Sequence, residues 1–238
     1  MALIYSHSHS SPRRYEISSP SPFTGCGCSY PDDVPIAVSV RADAIVSRLK
    51  QTAADSPHQP DLHSLPTHLT ITLADATIAI VHGDLTSLNG WSLSAPSMSS
   101  PTSAQTSAQM SHAALDIIAC THTCLAHLTH LEDGVVANNG SAGMSNFEDS
   151  TYGVITRLAV ADEPVCEAVE ELVVYETVHK GVRVSGVKVE FDGQRFKEAF
   201  RRDWAAGSPG YEGYWDRIEN GVPGWRVGDA FMDRRRGN

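Results

Sequence analysis

A succession of short apolar runs, each closed by glycine or polar residues, constrains this chain more than any other feature. The runs are residues 68–73, 77–81, 116–120, 134–137, 152–160, 171–178 and 182–191. Their length and their Val, Ile and Thr content read as strands. The first two form a hairpin across Ala74-Asp75-Ala76, and the last two form one across His179-Lys180-Gly181. Helical spacing appears at 41–54, through Ala42, Ile45, Val46, Leu49 and Ala53. It returns at 194–205, with Phe196, Ala199, Phe200 and Trp204 on one face, and at 209–220. Many strands with few helices between them predict a mixed α/β (α+β) layered sandwich.

The 238 residues suit one domain, spanning about 25–228. Residues 1–24 and 92–112 are rich in Ser, Pro and His or Gln; the first reads as a disordered segment, the second as a low-complexity loop insertion. Residues 229–238 read as a basic tail. A 41% hydrophobic and 19% charged composition excludes collagen-like, coiled-coil and wholly disordered classes. No run approaches the roughly 18 apolar residues of a membrane helix, and the first residues lack a secretory core. A soluble, cytoplasmic protein is expected. The net charge of −10 removes any general attraction for phosphate backbones, so neither nucleic acid nor membrane is expected as a partner. Nothing in the sequence speaks to oligomeric state.

Chemistry concentrates where three runs end: Val81-His82-Gly83-Asp84, Cys120-Thr121-His122-Thr123-Cys124 and Ala137-Asn138-Asn139-Gly140. Apolar strands that turn abruptly to His, Asp, Cys or Asn beside Gly place those groups on one rim of a sheet, where ligands of open α/β sheets bind. Imidazole and thiolate are a borderline-soft donor pair suited to zinc or iron. Five cysteines, Cys26, Cys28, Cys120, Cys124 and Cys166, are an odd number without an export signal, so thiols or metal ligands are expected rather than disulfides. One alternative is a structural zinc held by Cys26, Cys28, Cys120 and Cys124. Another reads Cys120 and Cys166 as small buried hydrophobes. His127 and His130 can be ligands on a helical turn or exposed loop residues, and the latter is expected; His179 is expected to face solvent. The aromatics Trp204, Tyr211, Tyr214, Trp215 and Trp225 are expected to pack in the core. A nucleophilic Ser or Cys hydrolase is disfavoured because no Gly-x-Ser-x-Gly occurs.

These segments resemble the calcineurin-like metallophosphoesterase superfamily. His82 matches that family's lone-His block. Thr121-His122-Thr123-Cys124 matches its Gly-His-x-His block, with Cys124 standing where the second His would be. Val136–Gly143 matches its Asn-Pro-Gly-Ser strand, with Asn139 at the Pro position. Gly25–Pro31, Ser87–Trp91, Met144–Phe147 and Gly207–Pro209, with Tyr214, Arg217 and Ile218, resemble one branch of the superfamily in consistent order. The resemblance implies a β-sandwich flanked by helices. It implies divalent metal ions (Zn, Fe or Mn) and hydrolysis of a phosphomonoester or phosphodiester by metal-activated water. His82 and His122 would be the catalytic metal ligands and Cys124 a third; Asp84, Asn138 and Asn139 would orient ligands or substrate. The implied partner is a phosphorylated small molecule or a phosphoprotein. The Gly-Asp-x-x-Asp and Gly-Asn-His-Asp/Glu blocks do not occur upstream, and Ser87 stands where Gly83-Asp84 would call for Asp. The first strands would then be absent or replaced, by evolution or through an incomplete gene model. A catalytically inactive relative acting as a binding or scaffold protein is the alternative expectation.

Overall fold

Alternation within the apolar runs builds two sheets in the computed structural model, which describes residues 30–235 apart from Asp33 and Asp55. The first sheet contains β1 (Leu69–Leu73), β2 (Ala76–Ile80), β3 (Ile117–Cys120), β4 (His127–His130), β5 (Val135–Asn138) and a late strand, β9 (Phe231–Asp233), in the order β1-β2-β3-β5-β4-β9. The second contains β6 (Gly153–Val160), β7 (Val173–His179) and β8 (Val182–Val189), ordered β6-β8-β7. Strands β2, β3 and β5 run parallel, in a register that aligns Ile80 with Ala119 and Cys120 with Asn138. Their carboxyl ends therefore finish side by side.

Alternate residues of these strands serve different layers. Ile78, Ile117, Val135 and Ala137 face the second sheet, where Val154, Tyr175, Val182 and Val184 meet them with Phe147. Ala79, Ile118, Cys120 and Val136 face the opposite layer with Leu93, Met98, Met110 and Leu115. Burying each such Ile, Val, Leu or Met contributes about 1.5–3 kcal/mol. The result is a mixed α/β sandwich of two sheets flanked by helices, as expected.

The helices are α1 (Ile36–Ala54), α2 (Gln59–Ser64), α3 (Ala95–Ser99), α4 (Ser103–His112), α5 (Glu167–Glu170), α6 (Gly193–Asp203) and α7 (Pro209–Asn220). Residues 92–112, expected as a loop, instead form α3 and α4, whose Met98 and Met110 are fully buried. Ser94 caps α3 by accepting from the Ser97 N–H, and Pro96 sits in the first turn, so the Ser/Pro composition that suggested a loop is helix-start chemistry. The expected aromatic core on the last helices is instead a half-buried stack. Tyr211 and Trp215 lie 5.2 Å apart at 10°, with Phe200 6.2 Å beyond Trp215.

β4 was not foreseen. His127 and His130, expected in an exposed loop, lie on this interior strand and are buried at 0% and 3% exposure. His127 spans Thr129 Oγ1 and the Leu93 carbonyl, each at 3.1 Å, and His130 pairs with Thr177 of β7. Burial pushes the His127 imidazole down to about 4, with the Leu93 carbonyl opposing, so the ring is a neutral structural bridge. His179 is half-buried rather than solvent-facing, beside the Lys180–Asp116 ion pair (2.6 Å). Cys166, expected to be buried, is exposed, whereas Cys120 is buried and its thiol is pushed up to about 12. Among the described residues no helix is long and apolar enough to cross a membrane.

Candidate functional site

The parallel ladder continues past the strands and sets the rim. The Val81 N–H donates to the Ala119 carbonyl (3.0 Å), the Thr121 N–H to the His82 carbonyl (3.1 Å) and the Asn139 N–H to the Cys120 carbonyl (3.0 Å). These bonds bring the ends of β2, β3 and β5 together, and with them His82, His122 and Asn139. The imidazoles of His82 and His122 face each other, Nε2 to Nδ1 at 3.2 Å, with rings edge-to-face at 5.1 Å. Burial lowers both imidazole pKa values, and His122 is lowered further by His82; the Asn89 carbonyl and Asp84 pull His122 the other way. Both rings are therefore neutral at pH 7 and available as donors.

The backbone beneath His122 is bent for this purpose. His122 and Cys124 both adopt left-handed conformations, at φ 37° and 53°, which cost roughly 1 kcal/mol or more each for non-glycine residues. Asn138 holds the bend. Its amide donates to the Thr121 carbonyl (2.8 Å) and Thr123 Oγ1 (3.0 Å), while its oxygen accepts from the Gly140 N–H (2.9 Å). Asn139, with its amide nitrogen turned toward the same segment, donates to Thr121 Oγ1 (2.8 Å) and the Gly140 carbonyl (3.2 Å). Both asparagines thus spend their amides on the loop that presents His122.

Asp84 is equally occupied. Oδ1 accepts from the Thr86 N–H (2.9 Å), Thr86 Oγ1 (2.9 Å) and the Ser87 N–H (2.8 Å), and Oδ2 accepts from Ser92 Oγ (2.9 Å). Burial alone would raise this carboxyl, but the hydrogen bonds from Thr86, Ser92 and Ser87 hold it below the usual carboxylate range. It organises the 84–92 loop, with three of its four hydrogen bonds on Oδ1 and one on Oδ2. Cys124 turns its Sγ to the His122 carbonyl (3.4 Å), and burial raises its thiol, with Arg217 opposing. Cys26 and Cys28 lie outside the described residues.

Two residues had no assigned role in the sequence beyond the quoted segments. Arg217 of α7 donates to the Cys124 carbonyl (2.6 Å) and the Ser145 carbonyl (2.9 Å), bolting the helix to both rim loops. Trp91 packs edge-on against His122 at 5.6 Å. Neither position shows a hydropathy pattern that could have announced such contacts.

Two neutral imidazoles suit zinc or iron better than a hard ion. Their 3.2 Å separation is close to the ~3.3 Å between two nitrogens bonded at about 2.0–2.1 Å to one tetrahedral ion. Among the described residues, no three His, Cys, Asp or Glu side chains gather where they could hold a metal. The rim fits one ion held by His82 and His122 with positions left open. Among the described residues no carboxylate gathers with both imidazoles to bridge two ions.

No family model matches the chain, and no curated protein matches it. Among solved structures, the hypothetical protein PH1004 from Pyrococcus horikoshii OT3 overlaps 80% of this chain at 13% identity with a TM-score of 0.51. The overlap covers 62% of that chain and speaks to fold alone. Vps29 from Entamoeba histolytica, complexed with Zn²⁺, overlaps 53% of this chain and 63% of its own at 14% identity and a TM-score of 0.30. Vacuolar protein sorting 29 from Cryptosporidium parvum overlaps 64% and 79% at 14% identity and 0.31. Similarities as low as these last two carry no argument. The chain is a two-sheet α/β sandwich similar in fold to the archaeal protein.

Proposed function

We propose that His82 and His122 bind one divalent metal ion, Zn²⁺ in preference to Mn²⁺, and that the protein uses the site to bind a phosphorylated small molecule or a phosphoprotein rather than to hydrolyse it. One observation carries this reading: two neutral imidazoles face each other on the rim, and the carboxylate beside them, Asp84, is engaged in four hydrogen bonds within its own loop. Two-metal phosphoester hydrolysis needs ions about 3.5–4 Å apart with anionic bridging, and the described donors supply neither. A bound ion would supply charge to attract a phosphate and a Lewis-acid centre. The chain's own residues supply the two imidazoles, and the asparagine-braced loop that holds one of them.

A second reading, single-metal hydrolysis of a phosphomonoester or phosphodiester, is favoured by the convergence of three strand ends on one rim. The two are separated by assaying zinc-loaded protein with p-nitrophenyl phosphate and bis(p-nitrophenyl) phosphate while titrating zinc calorimetrically. Zinc binding that His82→Ala and His122→Ala each abolish, without turnover, supports the binding protein. Turnover lost in both variants supports the hydrolase, and zinc binding unaffected by either variant overturns both readings.

A further inference from the structure

Buried polar atoms are almost always paired, so a buried orphan needs a reason. Two such orphans sit beside each other on the rim: Nε1 of Trp91 and Nε2 of His122 are buried without a hydrogen-bond partner. Their rings are in edge-to-face contact at 5.6 Å and 74°. An indole N–H can only donate. The other His122 nitrogen, Nδ1, is the one directed at His82, and an imidazole that turns one nitrogen to a metal ordinarily donates its second N–H to an oxygen. The Trp91 indole therefore asks for an acceptor oxygen, and so does His122 Nε2, which the nearby Asn89 carbonyl does not reach with hydrogen-bond geometry.

The loop is built to hold Trp91 there. Asp84 gathers Thr86, Ser87 and Ser92 around its carboxylate, fixing the chain on both sides of the indole. Gly90, the residue before it, lies so close that an added Cβ would be 1.9 Å from Asp84 Oδ2, so glycine leaves the hydrogen-bonded carboxylate its place. Tyr30 packs against the indole at 5.6 Å. A rigidly held donor with no acceptor of its own is a ligand contact in waiting.

We propose that Trp91 determines ligand choice at this site, its indole N–H and the His122 Nε2–H donating to the oxygens of a phosphate or carboxylate group. The inference rests on the metal reading above, because Asp84 is close enough to influence His122 and would repel an anion unless a divalent cation reversed the local charge. Charge-assisted hydrogen bonds of this kind are the strong ones.

The test uses the full 238-residue chain at saturating zinc, titrated calorimetrically with methylphosphonate, which cannot be hydrolysed, and separately with acetate. Trp91→Phe keeps an aromatic ring and removes only the donor; about tenfold weaker methylphosphonate binding is expected. In ¹H–¹⁵N spectra of the wild-type protein, the indole signal that Trp91→Phe deletes should move downfield on adding the anion. Acetate binding with the same dependence would extend the ligand class to carboxylates; binding of methylphosphonate alone would restrict it to phosphate-like groups. Wild-type affinity in Trp91→Phe, or an indole signal that stays still, overturns the inference. So does zinc binding without anion binding, which leaves the metal reading standing. Anion binding that needs Trp91 but no zinc keeps Trp91 as the anion donor and overturns the requirement that an ion reverse the charge of Asp84. If Trp91→Phe does not fold, Trp204→Phe, Trp215→Phe and Trp225→Phe assign the other three indole signals, and the shift of the remaining wild-type signal decides.

Discussion

Asn138 is the residue on which the geometry of the rim most depends, and its removal can be worked through. It is 1% exposed and makes three hydrogen bonds, to the Thr121 carbonyl, Thr123 Oγ1 and the Gly140 N–H. Asn138→Ala leaves the buried Gly140 N–H and the part-buried Thr121 carbonyl without these partners; a stranded buried group costs about 1–3 kcal/mol and a part-buried one less. Thr123 Oγ1 is half-buried and can turn to water, so its loss counts for little. The sum is about 3 kcal/mol. A domain of this size loses roughly 2–4 °C of Tm per kcal/mol, so a fall of about 6–12 °C is expected by circular dichroism at pH 7.5. Asn138→Asp retains the acceptor for the Gly140 N–H but sets a carboxylate against the Thr121 carbonyl, and should be no better than alanine. Because the same bonds brace the left-handed His122, zinc affinity should fall with stability. A Tm within 2 °C of wild type and unchanged zinc binding in Asn138→Ala would refute the bracing role.

Four further outcomes follow from particular contacts. His127 has a folded pKa of about 4 against an ordinary 6.5, so the unfolded chain takes up its proton first; stability present above pH 6.5 should decline as pH falls toward 4, by on the order of 3 kcal/mol, and His127→Gln should flatten that part of the Tm–pH profile. Asp84 has the opposite chemistry but the same sign: its carboxyl is lowered from 3.8, so its contribution is complete above about pH 4 and is lost as pH falls through the folded value. Asp84→Ala should cost roughly 2 kcal/mol at pH 7 by chemical denaturation, whereas Asp84→Asn, which keeps an acceptor for the Thr86 and Ser87 N–H groups, should cost less. Arg217→Met should retain most of the packing of α7 but free the Cys124 and Ser145 carbonyls, raising hydrogen exchange in both rim loops ahead of any change in the sheets. Ala74→Gly, at an exposed left-handed turn of φ 47°, should raise stability by about 0.5 kcal/mol in urea titration.

What the sequence disclosed followed from periodicity. The hairpins β1–β2 and β7–β8, the parallel β2 and β3 and the helix α7 all carry their signal in local alternation or spacing, and the structure places them within a residue or two of expectation. The three polar strand ends were legible for the same reason, since apolar runs that stop together must end on one rim. β4 was hidden because His127, Thr129 and His130 satisfy their polarity through partners distant in sequence, Leu93 and Thr177, that no local pattern contains. Helices α3 and α4 were hidden by Ser-rich composition, since their stability comes from burying Met98 and Met110 rather than from propensity. The roles expected of Asp84, Asn138 and Asn139 illustrate the same limit. Residue type showed that they belonged to the rim, but only hydrogen-bond geometry showed that each is spent on shaping the loops that carry His82, His122 and Trp91.

The central claim is that this rim holds one divalent ion between two imidazoles. Elemental analysis of the desalted 238-residue chain after equilibration with zinc tests it most directly, with His122→Ala alongside. The account predicts one zinc per chain in the wild-type protein and none in the variant. Two ions per chain, or one ion retained by His122→Ala, would contradict it.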